Sequence, residues 1–150
     1  MQRTLCLAGA GAAAGLAWAA GGELAWPNFR GPNGDGISKE TGLLDAWPEG
    51  GPKLAWRLDG LGNGFSSLSF NGGRFYTMGD RGDDQFILCY DLAARKEVWS
   101  ARVGAAHKDR RSPGPRCTPT LDGERVYALG SQGELVCVQM GVQRGPGLRR

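Results

Sequence analysis

The sequence predicts an all-β fold of short antiparallel strands, and three observations carry that expectation. The 150 residues include 26 Gly and 8 Pro, more than twice the ordinary share of Gly, which marks a chain that turns often. The 41% of hydrophobic residues against 22% charged separates it from disordered chains. A 13-residue stretch, Ser67-Leu68-Ser69-Phe70-Asn71-Gly72-Gly73-Arg74-Phe75-Tyr76-Thr77-Met78-Gly79, then recurs without a gap 51 residues later as Thr118-Pro119-Thr120-Leu121-Asp122-Gly123-Glu124-Arg125-Val126-Tyr127-Ala128-Leu129-Gly130.

Along the chain, the N-terminus comes first. Met1-Gln2-Arg3 carries one cation, residues 5–20 are uncharged and rich in Ala, and Ala17-Trp18-Ala19 sets small residues before a polar start at Glu23. A positive start, a short apolar run and an A-x-A site make residues 1–20 a signal peptide; the run falls short of the ~20 residues a membrane span needs. Export is therefore expected, to a periplasmic or secreted location, with no membrane span once the signal is gone. The formal charge of +3 includes Arg3, Arg144, Arg149 and Arg150 in end segments without an acid, which leaves −1 on the stretch between. One basic run, His107-Lys108-Asp109-Arg110-Arg111 with Arg116, reads as a solvated loop, so no nucleic-acid partner is expected.

Residues 21–52 form an opening segment. From residue 53 to 138 the pattern is a strand array. Each copy of the repeat reads as strand, two-residue turn (Asn71-Gly72 or Asp122-Gly123) and strand, because Asn-Gly and Asp-Gly between apolar runs favour a type I′ hairpin. A Gly/Asp/Gln loop and a third apolar strand follow, near Cys89 in one copy and Cys137 in the other, with a loop three residues shorter in the second. The first copy gains a fourth strand, Lys96-Glu97-Val98-Trp99-Ser100-Ala101-Arg102. Its like occurs once earlier, Lys53-Leu54-Ala55-Trp56-Arg57-Leu58, which reads as the closing strand of a preceding unit. Four strands repeating every 40–50 residues is the pattern of β-propeller blades. The expectation is a partial β-propeller of two to three four-stranded blades.

The second copy departs from the first after Val138. Gln139-Met140-Gly141-Val142-Gln143-Arg144-Gly145-Pro146-Gly147-Leu148-Arg149-Arg150 has no Asp, no Trp and no acid where the first copy continues with Asp91 and Trp99. Residues 139–150 are read as an atypical tail, either a genuine flexible end or a stretch out of frame from about residue 139, on the N-terminal portion of a longer array. Propellers close with typically 4–8 blades, so the bare sheet edges are expected to make the chain aggregate or oligomerise.

The Trp-ended unit Asp91-Leu92-Ala93-Ala94-Arg95-Lys96-Glu97-Val98-Trp99 resembles the D-x-x-T-G-K-x-x-W motif of pyrroloquinoline-quinone-like (PQQ-like) propeller repeats. Trp26-Pro27-Asn28-Phe29-Arg30-Gly31-Pro32-Asn33-Gly34-Asp35-Gly36-Ile37-Ser38 is similar to the start of exported bacterial proteins of that family. The resemblance covers residues 26 to about 138 and implies that Trp56 and Trp99 dock neighbouring blades. Ala94-Arg95 stands where the family motif has Thr-Gly, so the turn before Trp99 must change type or carry strain.

Chemistry-bearing motifs are few. His107 is the single His, in a Gly/Arg/Pro-rich loop, and no G-x-S-x-G elbow surrounds a serine; no catalytic residue is assigned. Gly60-Leu61-Gly62-Asn63-Gly64 lacks both the G-x-G-x-x-G spacing and a following helix, and reads as a turn between blades. Asp80-Arg81-Gly82-Asp83-Asp84 offers three carboxylates without EF-hand spacing and contains an adhesion-like Arg-Gly-Asp; an exposed hairpin tip accounts for it. With the signal removed, Cys89, Cys117 and Cys137 remain. An odd number leaves at least one thiol free or paired outside the chain, and no C-x-x-C supports zinc or haem. Cys89 and Cys137 sit in apolar runs and are expected to be buried. Trp26, Trp47, Trp56 and Trp99 are expected in the core between blades.

Two functions follow from the resemblance. The first is an exported binding or scaffold module with a protein or polymer partner and no cofactor. The alternative is a fragment of a quinoprotein dehydrogenase using PQQ and calcium to oxidise alcohols, sugars or polyvinyl alcohol. Those enzymes often carry adjacent cysteines near the quinone, which this sequence lacks, and their calcium ligands lie in blades it does not contain, so neither metal nor cofactor residues are assigned.

Overall fold

The computed structural model describes residues 25–141; the expected signal peptide (1–20) and residues 142–150 of the expected tail lie outside them. Within the described residues the chain is all-β, without a helix, in two antiparallel sheets, neither of them closed. The first sheet contains β1 (Ser69–Asn71), β2 (Arg74–Arg81), β3 (Asp84–Asp91) and β4 (Lys96–Ala105), paired in that order. β5 (Thr120–Asp122), β6 (Arg125–Leu129) and β7 (Leu135–Gln139) make the second.

The hairpins fall where the repeat places them, one residue later than the Asn-Gly and Asp-Gly reading. Asn71 faces Arg74, so Gly72-Gly73 is the first turn, with φ of 56° and 71°, the two positive values a type I′ turn needs. Asp122 faces Arg125, and in Gly123-Glu124 the glycine alone has positive φ, at 55°. The two turns therefore differ in type. Arg95 is the one non-glycine residue with positive φ among those described, at 54°. It occupies the position where the motif that Asp91 to Trp99 resembles has Gly, and this left-handed conformation costs about 1–2 kcal/mol. The Asp91 carboxylate holds that loop by accepting from the Ala94 amide at 2.7 Å.

Two other segments depart from expectation. The Gly/Asp/Gln stretch after Met78 is strand rather than loop: β2 runs to Arg81, and β3 starts at Asp84 across the two-residue turn Gly82-Asp83. The three extra residues of the first copy thus lengthen a hairpin. Asp80 is fixed there by a second partner, exchanging two backbone hydrogen bonds with Asn63 at 2.8 and 3.1 Å. Residues 53–58, expected as a strand, carry none, because none of the described strands lies beside them; Leu54 stays 78% exposed.

The sheets stack face to face. β-strand alternation sends Tyr76, Met78, Ile87, Cys89 and Trp99 to one face of the first sheet, where they form one core with Leu121, Val126, Ala128 and Val136 of the second. The opposite face of the first sheet, Phe75, Leu88 and Tyr90, is covered by Leu58, Leu61 and neighbouring side chains. The opening segment ties the two short first strands together. Trp26 exchanges two backbone hydrogen bonds with Phe70, and the Leu121 amide donates to the Pro27 carbonyl at 2.7 Å.

Candidate functional site

Trp99 occupies the seam between the sheets. Its ring meets Tyr76 at 6.0 Å between centroids with a tilt of 53°, and its indole N–H donates to the Met140 carbonyl at 3.3 Å. Trp56 has a different place: it lies outside any strand, 37% exposed, with the Arg95 guanidinium 5.7 Å over its ring. Trp47 is 70% exposed and Trp26 is half-buried, so of the four tryptophans expected in the core, Trp99 is the buried one.

The seam excludes water from two acidic protons. Burial pushes the Cys89 thiol up to about 11 and the Tyr76 hydroxyl up to about 12. The folded chain therefore keeps protons that the unfolded chain starts to release near pH 9 to 10. Stability from this source is complete below about pH 9 and declines as pH rises toward 11 and 12, by about 1.4 kcal/mol per pH unit for each group. Urea midpoints measured at pH 8 and pH 11 are expected to drop clearly at the higher value; equal midpoints would show that the seam is wet.

A polar junction closes one end of the seam. Buried Gln85 donates through Nε2 to the Asp80 carboxylate at 3.0 Å and to Ser131 Oγ at 2.9 Å, while its carbonyl accepts from the Ser131 amide at 3.0 Å. The second Asp80 oxygen accepts from the backbone N–H of His107 at 2.8 Å. Each polar group thus has a partner, as burial demands. The sequence reading missed Gln85 and Ser131, which lie 46 residues apart.

These contacts also settle where the candidate carboxylates point. Asp80 turns into the junction, Asp84 pairs with Arg102 at 2.8 Å, and Asp83 pairs with Lys108 at the exposed tip. Lys108 holds Asp83 below the usual carboxylate range. The three do not converge, and among the described residues no group of three His, Cys, Asp or Glu could hold a metal ion. A hollow beside the β5–β6 turn is lined by Asp122, Gly123, Glu124, Arg125 and Gln139, with no aromatic plane on which a quinone could stack.

The outward face of the second sheet presents Tyr127, Leu129, Leu135 and Cys137, with Leu135 74% and Leu129 50% exposed. Cys137, expected to be buried like Cys89, is exposed, since no sheet among the described residues packs on that side. In the repeat these four residues match Tyr76, Met78, Ile87 and Cys89, the covered face of the first sheet. One face type is sealed in one sheet and bare in the other. No family model, curated protein or solved structure matches the chain.

Proposed function

We propose that the chain is an exported array of PQQ-like β-propeller blades acting as a binding or scaffold module, with a protein or polymer partner. The observation that carries this reading is the bare face of the second sheet. Tyr127, Leu129, Leu135 and Cys137 repeat a set that the first sheet buries against its neighbour, and they form an apolar surface of the kind that marks an interaction site. The motif at Asp91 to Trp99 and the opening Trp26 to Ser38 support the blade family. Under this reading Trp99 docks the two blades, and Trp56 would dock a preceding one.

The test is titration with PQQ and Ca²⁺ in the presence of an artificial electron acceptor and a panel of alcohols. The module is expected to leave the acceptor oxidised at every addition. Acceptor reduction that depends on PQQ and an alcohol would overturn the scaffold reading in favour of a quinoprotein dehydrogenase.

A further inference from the structure

We infer that residues 53–58 of one copy of this chain add to the edge of β7 in another copy, which is open among the described residues, as a fourth strand of the second sheet. The inference rests on the blade reading above and adds the partner, the segment and the register. It begins with two incomplete parts. Among the described residues the second sheet has three strands, with β7 at its edge, where the first sheet has four. Residues 53–58, Lys53-Leu54-Ala55-Trp56-Arg57-Leu58, match the fourth strand of the first sheet around Trp99, yet pair with nothing.

Their surroundings repeat as well. Ala101 of β4 packs against the core shared with the second sheet. Leu58, 43 positions earlier and the counterpart of Ala101, packs against Phe75, Leu88 and Tyr90 on the far face of the first sheet. Trp99 reaches the Met140 carbonyl just past β7, and Trp56 lies by Arg95 just past β3. Residues 53–58 thus stand to the first sheet as β4 stands to the second.

The two parts cannot join within one chain, because the first sheet lies between them: Leu58 packs on one of its faces and the second sheet on the other. A second copy brings them together. Cys89 faces Trp99, Leu88 faces Ser100 and Ile87 faces Ala101 across β3 and β4. Carried onto the repeat, that register sets Trp56 opposite Cys137, Arg57 opposite Val136 and Leu58 opposite Leu135. Trp56 then covers Tyr127 as Trp99 covers Tyr76, and Leu58 meets Leu135 and Leu129. The added strand supplies main-chain hydrogen bonds to an open edge and covers an apolar face at once. The contact is head-to-tail, so copies close into a ring or extend as a filament.

Two full-length preparations test the register. Both carry Cys6→Ser, Cys117→Ser and Cys137→Ser, with Cys89 left buried; one carries Leu135→Cys and a tag, the other Leu58→Cys. Facing residues of an antiparallel pair lie about 4.5–5.5 Å apart at Cα, within disulfide reach. Mixing under mild oxidation is expected to give a tagged–untagged dimer, and Lys53→Cys in place of Leu58→Cys is expected to give little. Light scattering of the unmodified chain should show assemblies that fall to one chain on dilution, and Trp56→Ala should abolish them without changing the β-sheet circular dichroism. A monomer at every concentration, cross-linking regardless of position, or assemblies that survive Trp56→Ala without the 58–135 disulfide would overturn the proposal. Acceptor reduction in the quinone titration would overturn the scaffold reading and leave this result standing, so the two failures are distinguishable.

Discussion

Trp99→Ala is expected to lower stability by about 4 kcal/mol, within the range for removing a large aromatic from a packed core. Trp99 joins Tyr76, Met78 and Cys89 of its own sheet to Val126 and Val136 of the other, so its loss opens a void at the seam. Its indole N–H also leaves the Met140 carbonyl without a donor. For a chain of this size the melting midpoint should fall by roughly 15 °C. Trp56→Ala is the internal comparison: that ring is partly exposed and touched by Arg95, and its removal should cost less than about 1 kcal/mol in the dilute monomer. Thermal melts of both variants decide the matter. Equal losses would mean that the two tryptophans, which the repeat makes equivalent, have equivalent surroundings, contrary to the structure.

Gly79→Ala is expected to cost about 3 kcal/mol for a reason unrelated to apolar burial. The segment through Leu61 and Gly62 crosses directly over Gly79, and an added Cβ would run into the Leu61 carbonyl oxygen and the Gly62 backbone. Backbone cannot swing aside like the end of a long side chain, so the crossing segment must lift. Lifting it breaks the paired hydrogen bonds between Asn63 and Asp80 and the one from the Arg81 guanidinium to the Gly60 carbonyl. At Gly130, the matching position of the second copy, the nearest obstacle is the Glu134 carboxylate, a movable group. Gly130→Ala should therefore cost less than half as much. Chemical unfolding of the two variants checks the ranking, and a reversed order would contradict the crossing geometry.

What the sequence made legible was local. Asn-Gly and Asp-Gly between apolar runs located the first hairpin turn of each copy to within a residue, and the Trp-bearing run located β4. The length of the β2–β3 hairpin was hidden because Asp80-Arg81-Gly82-Asp83-Asp84 has loop composition; what makes its flanks strand is their pairing across the turn, Asp80 with Gln85 and Arg81 with Asp84, with Asn63 bridged to Asp80 besides. The Gln85–Ser131 link was equally hidden, since hydrogen bonds between residues far apart leave no periodic trace. Cys89 and Cys137 show the limit most plainly. Both sit in matching apolar strands, and burial follows from whether another sheet packs on that face, which strand periodicity does not encode. Trp56 fails as a strand marker for the same reason: a strand needs a neighbour.

Cys89 and Cys137 also supply the most direct measurement of the central claim, that one face type is sealed in the first sheet and bare in the second. The native chain is treated with a thiol-reactive maleimide near pH 7.5, dilute enough to keep single chains, and labelling at each cysteine is followed by mass spectrometry. The structure predicts rapid modification of exposed Cys137 and none of Cys89, which is buried and whose thiol burial pushes up to about 11, until the chain is unfolded. Modification of both at similar rates in the folded chain would contradict the stacked sheets, and protection of both would contradict the bare face.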